Sequence, residues 1–257
     1  MAEGAALHGG PAGAGSPLHK PWTLPQHGLA VFHGAGNVAR LSHYFLPRLL
    51  LEGKRVLFLD GANSADPRLL ERFARERNVP FAEFNRGIQI ARAFTCFQLT
   101  ELIARVPQFL GDFPAEVVIV TAFPDLYFDE DVRDWNARVA FEQGLKNLRR
   151  WGHVAPGLSR HDGGVKPPLH VAPPLRAAHA RQRTGATIAV FSAMQDFAPP
   201  PARQRFFPAL CAAANEIWRF SLDADNRLKL IGEPQRPRLS PHSRPLSQRA
   251  RGDGTGF

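Results

Sequence analysis

The chain is poor in cysteine, with Cys96 and Cys211 the only two in 257 residues. Two thiols cannot build a disulfide framework or a four-thiolate zinc site. Neither sits in a context that would activate it as a nucleophile, so both are expected to be ordinary buried thiols of a reducing compartment. Long apolar runs are also missing; none approaches the ~18 residues that cross a bilayer. The opening MAEGAALHGGPAGAGSPLHK has an acid at Glu3 and no continuous apolar stretch, so it does not read as a secretory signal. A soluble cytoplasmic protein with no membrane partner is expected. No Ser/His/Asp or Cys/His arrangement stands out. His153, His161, His170 and His179 recur at intervals of eight or nine, wider than zinc ligands usually stand. Pro-Pro pairs at 167–168 and 173–174 deny them a rigid frame, so no metal site is expected.

What is present is the composition of a folded protein: 44% hydrophobic and 21% charged residues. A wholly disordered chain is excluded. Gly and Pro gather at the two ends and in one internal stretch. The expected organisation is a disordered Gly/Ala/Pro-rich lead at 1–22, a core at 23–232, and a disordered basic tail at 233–257. A Pro/His/Arg-rich loop at about 153–184 interrupts the core.

The formal net charge is +9, and its placement says more than its size. Residues 1–148 are nearly neutral, at −1. Residues 149–184 carry +6, from Arg149, Arg150, Arg160, Lys166, Arg176, Arg181 and Arg183 against Asp162 alone. Residues 233–257 carry +3. Arg-rich segments with little apolar periodicity attract phosphate backbones, with an affinity that falls as salt rises. The alternative is a solubilising linker without a specific partner.

Periodicity alternates strand and helix. Gly28–Gly34 is a short apolar run ending in glycine, a buried-strand signal. Ala39–Leu51 has helical spacing, shortened or kinked by Pro47. Lys54–Gly61 is a second strand, and Asp66-Pro67 opens a helix with Leu69, Leu70, Phe73 and Ala74 on one face. Ile88–Phe94 reads as a strand and Gln98–Phe109 as a helix. Val117–Val120 is a β-branched run typical of a strand covered on both faces. Asp134–Trp151 is a long amphipathic helix, with Trp135, Val139, Leu145 and Leu148 available to its apolar stripe. Ala186–Ser192 is another buried strand, and Phe206–Ala214 a short helix or edge segment. Ile217–Leu222 and Arg227–Ile231 flank Asp223–Asn226 as a hairpin. The expected fold is α/β: a doubly wound, mostly parallel sheet with helices on both faces and a C-terminal antiparallel hairpin.

The turn after the first strand is the position of interest. A phosphate-cradling loop reads G-x-x-x-x-G-K-[ST]. Here the eight places read Gly34, Ala35, Gly36, Asn37, Val38, Ala39, Arg40 and Leu41. Other segments join it in order: Arg55–Gly61 followed by Asp66-Pro67-Arg68-Leu69-Leu70, then Ile90-Ala91-Arg92-Ala93-Phe94-Thr95, Val117–Thr121, and Ser192-Ala193-Met194-Gln195. In this order they resemble the RecA-type recombinase ATPases over roughly residues 23–232. The resemblance implies a RecA-like core with Walker B at Val117–Thr121 and a sensing glutamine at Gln195.

The departures from that family are systematic. Arg40 replaces the lysine that neutralises phosphates, and guanidinium does not substitute cleanly for ammonium. Leu41 replaces the Mg²⁺-binding hydroxyl. Thr121 stands at the Walker B acid, and Ala62 or Asn63 at the water-activating glutamate. Parts that act as a unit and are lost together leave little catalysis above binding. The site is expected to be a pseudo-ATPase site with no catalytic residue and no required cofactor. Its degenerate nucleotide-binding set would be Gly34, Gly36, Asn37, Ala39, Arg40, Leu41, Thr121 and Gln195. Either weak ATP binding on backbone N–H groups at a helix N-terminus or a remnant that only packs fits these residues.

Two loops follow the strands that carry the family's chemistry. The first holds Asp125, Asp129, Glu130, Asp131 and Asp134, read as a cation site or as favourable charge at a helix start. The second holds Arg203 and Arg205 beside Phe206 and Phe207. Charge with stacking surface is what single strands favour, while a packed, proline-stiffened loop is the alternative. The expected function is a catalytically degenerate RecA-like accessory protein of DNA repair, recombination or damage tolerance. It would bind DNA, single-stranded for preference, or a recombinase or DNA polymerase partner, or both. The competing expectations are a slow P-loop ATPase with an atypical loop and a purely protein-binding scaffold.

Overall fold

A computed structural model describes residues 23–152, 186–193, 199–225 and 227–234 of the chain. The lead at 1–22, the loop at about 153–184 and the tail from 235 lie outside the described residues. So do Gln195, Arg160, Lys166, Arg176, Arg181 and Arg183.

The strands are β1 (Gly28–His33), β2 (Val56–Asp60), β3 (Ile88–Arg92), β4 (Val117–Thr121), β5 (Thr187–Ser192), β6 (Glu216–Leu222) and β7 (Leu228–Glu233). They form one seven-stranded sheet in the order β3-β2-β4-β5-β1-β6-β7. Every pairing is parallel except β6 with β7. The helices are α1 (Val38–Leu41), α2 (Leu46–Leu51), α3 (Pro67–Arg75), α4 (Phe81–Arg86), α5 (Cys96–Ala104), α6 (Val106–Asp112), α7 (Asp134–Gly152) and α8 (Phe206–Ala213). The α/β class, the mostly parallel sheet and the closing antiparallel pair are as expected.

The central strands are apolar at nearly every position because both sheet faces are covered. Ala30 and Phe32 of β1 face one core with Phe45, Leu46, Leu70 and Phe73. Leu29 and Val31 face the other with Leu99, Ile103, Phe141 and Leu210. Thus α1 to α4 cover one face and α5 to α8 the other. Phe32 stacks on Phe191 of β5 with centroids 4.8 Å apart.

Several elements differ from the sequence expectation, each for a local reason. Ala39–Leu51 is divided into α1, a 3-10 turn at Ser42–Phe45, and α2, which starts with Pro47 in its first turn. Gln98–Phe109 is two helices, broken at Arg105, with Pro107 in the first turn of α6. β3 stops at Arg92 because Thr95 accepts from the Gln98 N–H and caps α5. The buried stripe of α7 is Ala137, Ala140, Phe141, Gly144 and Leu148. Trp135 and Val139 are instead 65% and 43% exposed. Glu233, placed in the tail by composition, is the last residue of β7.

Candidate functional site

The carboxyl ends of β1, β2, β4 and β5 bring the turn residues together, as open parallel sheets do at their ligand crevices. His33, Asp60, Thr121 and Ser192 end these strands, and all four are buried.

The turn after β1 begins at Gly34. A Cβ there would meet the Phe220 carbonyl oxygen of β6 at 2.9 Å, so glycine is required by backbone packing. Gly36 has φ +77°, a left-handed conformation that glycine adopts without strain. Its carbonyl accepts from the Val38 N–H at 2.8 Å. The Asn37 side chain caps α1 by accepting from the Arg40 N–H at 3.1 Å. Two N–H groups of the turn are therefore bonded within it. Ala39 accepts from the Ser42 hydroxyl through its carbonyl at 2.5 Å. A four-residue α1 also carries little of the dipole that a long helix directs at a phosphate.

Arg40 and Leu41, expected at the lysine and hydroxyl positions of a phosphate loop, have other partners. The Arg40 guanidinium donates to the Asp66 carboxylate at 2.9 Å, joining the turn to the N-cap of α3. Leu41 packs against the core on the α1–α4 face. His43, one residue into the 3-10 turn, accepts at Nε2 from the Asp66 N–H at 3.3 Å. With Nε2 as acceptor, Nδ1 carries the proton and donates to the Arg40 carbonyl at 3.1 Å. Burial of the ring pushes the His43 pKa down, against hydrogen bonding to the Arg40 carbonyl and the nearby Asp60 and Asp66 charges.

Thr121 and Asp60 form the centre of the site. The Thr121 hydroxyl donates to Asp60 Oδ1 at 3.2 Å and accepts from the Ala62 N–H at 3.1 Å. Asp60 also accepts from the Ser64 N–H, the Ser64 hydroxyl and the Ala65 N–H, at 2.9, 3.2 and 2.9 Å. Arg92 Nε lies 3.6 Å from its other oxygen. A Cβ on Gly61 would meet the Thr121 carbonyl at 2.6 Å, so the turn can close only with glycine. The carboxylate that the sequence reading passed over is therefore the organiser of the 61–65 turn. Ala62 and Asn63 present no base.

The loop after β4 is apolar because it is packed. Phe123 and Tyr127 are fully buried, and Tyr127 exchanges a 2.7 Å hydrogen bond with Thr100. Burial raises the Tyr127 phenol well above the ordinary tyrosine value. The acids of this loop are held apart. Asp125 accepts from the Ser192 hydroxyl at 2.6 Å and the Ala193 N–H at 2.8 Å, tying the loop to the end of β5. Asp129 accepts from the Asp131 N–H. Among the described residues no group of three or more His, Cys, Asp or Glu is placed to hold a metal ion.

Two expected nucleic-acid contacts are corrected. Arg203 is buried. It donates to the Asp134 carboxylate at 2.7 Å, to the Tyr127 and Asp129 carbonyls at 3.0 and 2.7 Å, and to the Val132 carbonyl. It therefore builds the 127–134 turn from within. Phe206 is buried too, stacked on Phe141 of α7 with centroids 4.3 Å apart. Neither side chain is available to a base or phosphate. The packed alternative for this proline-stiffened loop is the one its residues adopt, and nothing local marks an acceptor some seventy residues away.

Arg205 is exposed. Arg149 and Arg150 are exposed on the last turn of α7, where cations complement the helix dipole. Exposed aromatics that the sequence reading missed are Phe94 and Phe97 near the start of α5 and Trp135 on α7, with the Arg138 guanidinium 4.5 Å from the Trp135 ring centroid. The Cys96 thiol is pushed up by burial, in keeping with an inert thiol. No helix of the described residues is long and apolar enough to cross a membrane. No family model and no curated protein sequence matches the chain.

Proposed function

We propose that this chain is a catalytically degenerate RecA-like accessory protein of DNA repair, recombination or damage tolerance, and that it acts by binding. Its ligands are single-stranded DNA and a recombinase or polymerase partner. The observation that carries the reading is the closed polar cluster at the ends of β2 and β4. Where a phosphoryl-transfer site keeps an acid for Mg²⁺ and a base for water, Thr121 and Asp60 bond to each other and to the 62–65 turn. The Arg40 guanidinium pairs with Asp66 in place of a phosphate. Nothing in this cluster is left to bind a metal or move a proton.

The binding half of the proposal is supported by charge. The +6 of residues 149–184 begins at Arg149 and Arg150 on the exposed end of α7, and Arg205 adds an exposed cation. Such segments bind phosphate backbones by releasing counterions. Neutralising Arg176, Arg181 and Arg183 together is expected to weaken single-stranded DNA binding. It should also flatten the dependence of log affinity on log salt by up to about three contacts' worth. An unchanged slope would remove this segment from the proposal.

A further inference from the structure

The amino ends of β2 and β3, at the opposite end of the parallel strands from the turn after β1, carry a separate feature. A cleft of about 330 Å³ opens there between the end of α2 and α4. Its apolar floor is made by Leu50, Val79 and Phe84, and Leu51 forms a lip that is 56% exposed. A shallower depression of about 460 Å³ shares Val79 and runs on to Phe81, itself 37% exposed. Exposed Leu51 and Phe81 at two adjoining depressions that share Val79 are a recognition surface more than a solvated face.

The charge around the cleft is unequal. Lys54, Arg55 and Arg86 line it against the single acid Glu83. Lys54 is paired with Glu52, which also takes Arg48. The Arg55 guanidinium lies 5.6 Å from the Phe113 ring centroid and makes no ion pair among the described residues, while its backbone N–H donates to the Glu116 carboxylate at 2.8 Å. The Arg86 side chain makes no hydrogen bond or ion pair among the described residues. An apolar hollow whose lining carries more cations than acids, with Arg86 and Arg55 outside any ion pair among the described residues, complements an apolar side chain flanked by carboxylates.

We infer that this cleft is a docking site for an acidic, apolar peptide segment of a partner protein. A Leu or Phe of the segment seats on Leu50, Val79 and Phe84, and its carboxylates meet Arg86 and Arg55. The site does not depend on the proposed function, because it shares no residue with the turn after β1 or with residues 149–184.

The test uses the full chain and a short fluorescein-labelled peptide of Asp and Leu ending in Phe, followed by anisotropy. A counterpart with Asn in place of every Asp is the control. The expected result is saturable binding of the acidic peptide, weakened by salt and weaker for the control by about tenfold or more. Arg86→Glu and Leu51→Ser each reduce the affinity about tenfold. Both side chains are exposed, so the fold should survive, and circular dichroism checks this. Equal binding of the control, or unchanged affinity in both variants, would overturn the inference. Loss of oligonucleotide binding in Arg86→Glu would reassign the cleft to phosphate and overturn it as well.

Discussion

The hydroxyl of Thr121, at the end of β4, donates to the carboxylate of Asp60, at the end of β2, across 3.2 Å and with both side chains fully buried. On the proposed RecA-like reading, this bond stands where a hydrolytic relative would expose an acid to a metal ion. Thr121→Val keeps the shape but leaves the Ala62 N–H without its acceptor and Asp60 short of one donor. Stability should fall by about 1–3 kcal/mol, the usual cost of an orphaned buried polar group. Thr121→Asp introduces an acid at the end of β4. It sets a second carboxylate against Asp60 in a dry site, and should destabilise more than Thr121→Val. Urea denaturation of the two variants checks the order. Equal or greater stability of Thr121→Asp would mean that the cluster accepts the added charge.

Arg203 and Arg205 stand two residues apart and should behave oppositely. Arg203→Met leaves three backbone carbonyls and the Asp134 carboxylate without their donor. The Asp134 side chain is 57% exposed and can rehydrate, so the cost is that of the orphaned carbonyls, about 1–3 kcal/mol. Any effect on DNA affinity should come with that unfolding, and the salt slope should stay as it is. Arg205→Ala should leave the urea midpoint nearly unchanged. It should lower the salt slope by about one if the exposed side chain meets a phosphate. A stable Arg203→Met protein with a reduced slope would contradict the placement of Arg203.

Acid should loosen the fold through His43. In the folded protein Nε2 accepts from the Asp66 N–H, and burial lowers the pKa below the ordinary value of 6.5. The unfolded chain therefore takes up this proton at a higher pH than the folded one. The full contribution of His43 is present above about pH 6.5. Stability falls as the pH drops below that, with a limiting slope of about 1.4 kcal/mol per pH unit, until the folded ring is protonated too. His43→Gln retains a donor and an acceptor but cannot titrate, so its stability curve should be flatter between about pH 7 and about pH 5. Parallel curves for the two proteins would show that the ring is not held neutral.

The strands and their sequence neighbours were legible because local signals agreed. Gly28–Gly34 and Val117–Val120 are apolar without alternation, as strands covered on both faces must be. Asp66-Pro67 announced α3 through an N-cap and a proline in the first turn. The site was legible only as a set of missing groups. Asp60 reads like any strand-ending acid, and its many donors come from a turn whose closure depends on a Gly61 contact across strands. For Arg203 and Phe206 the local residues fit strand binding and packing equally, because burial of the arginine depends on carbonyls 71–76 residues distant in sequence. Trp135 and Val139 are exposed. Their spacing suits an apolar stripe, yet the smaller Ala137, Ala140 and Gly144 let α7 lie closer to Phe123 and Tyr127.

The most direct measurement is the release of inorganic phosphate from Mg-ATP by the purified chain, with and without single-stranded DNA. The closed Thr121–Asp60 cluster and the Arg40–Asp66 pair predict no release above a protein-free control in either condition, while DNA binding persists without nucleotide. Sustained release that rises when single-stranded DNA is added would contradict the account at its centre.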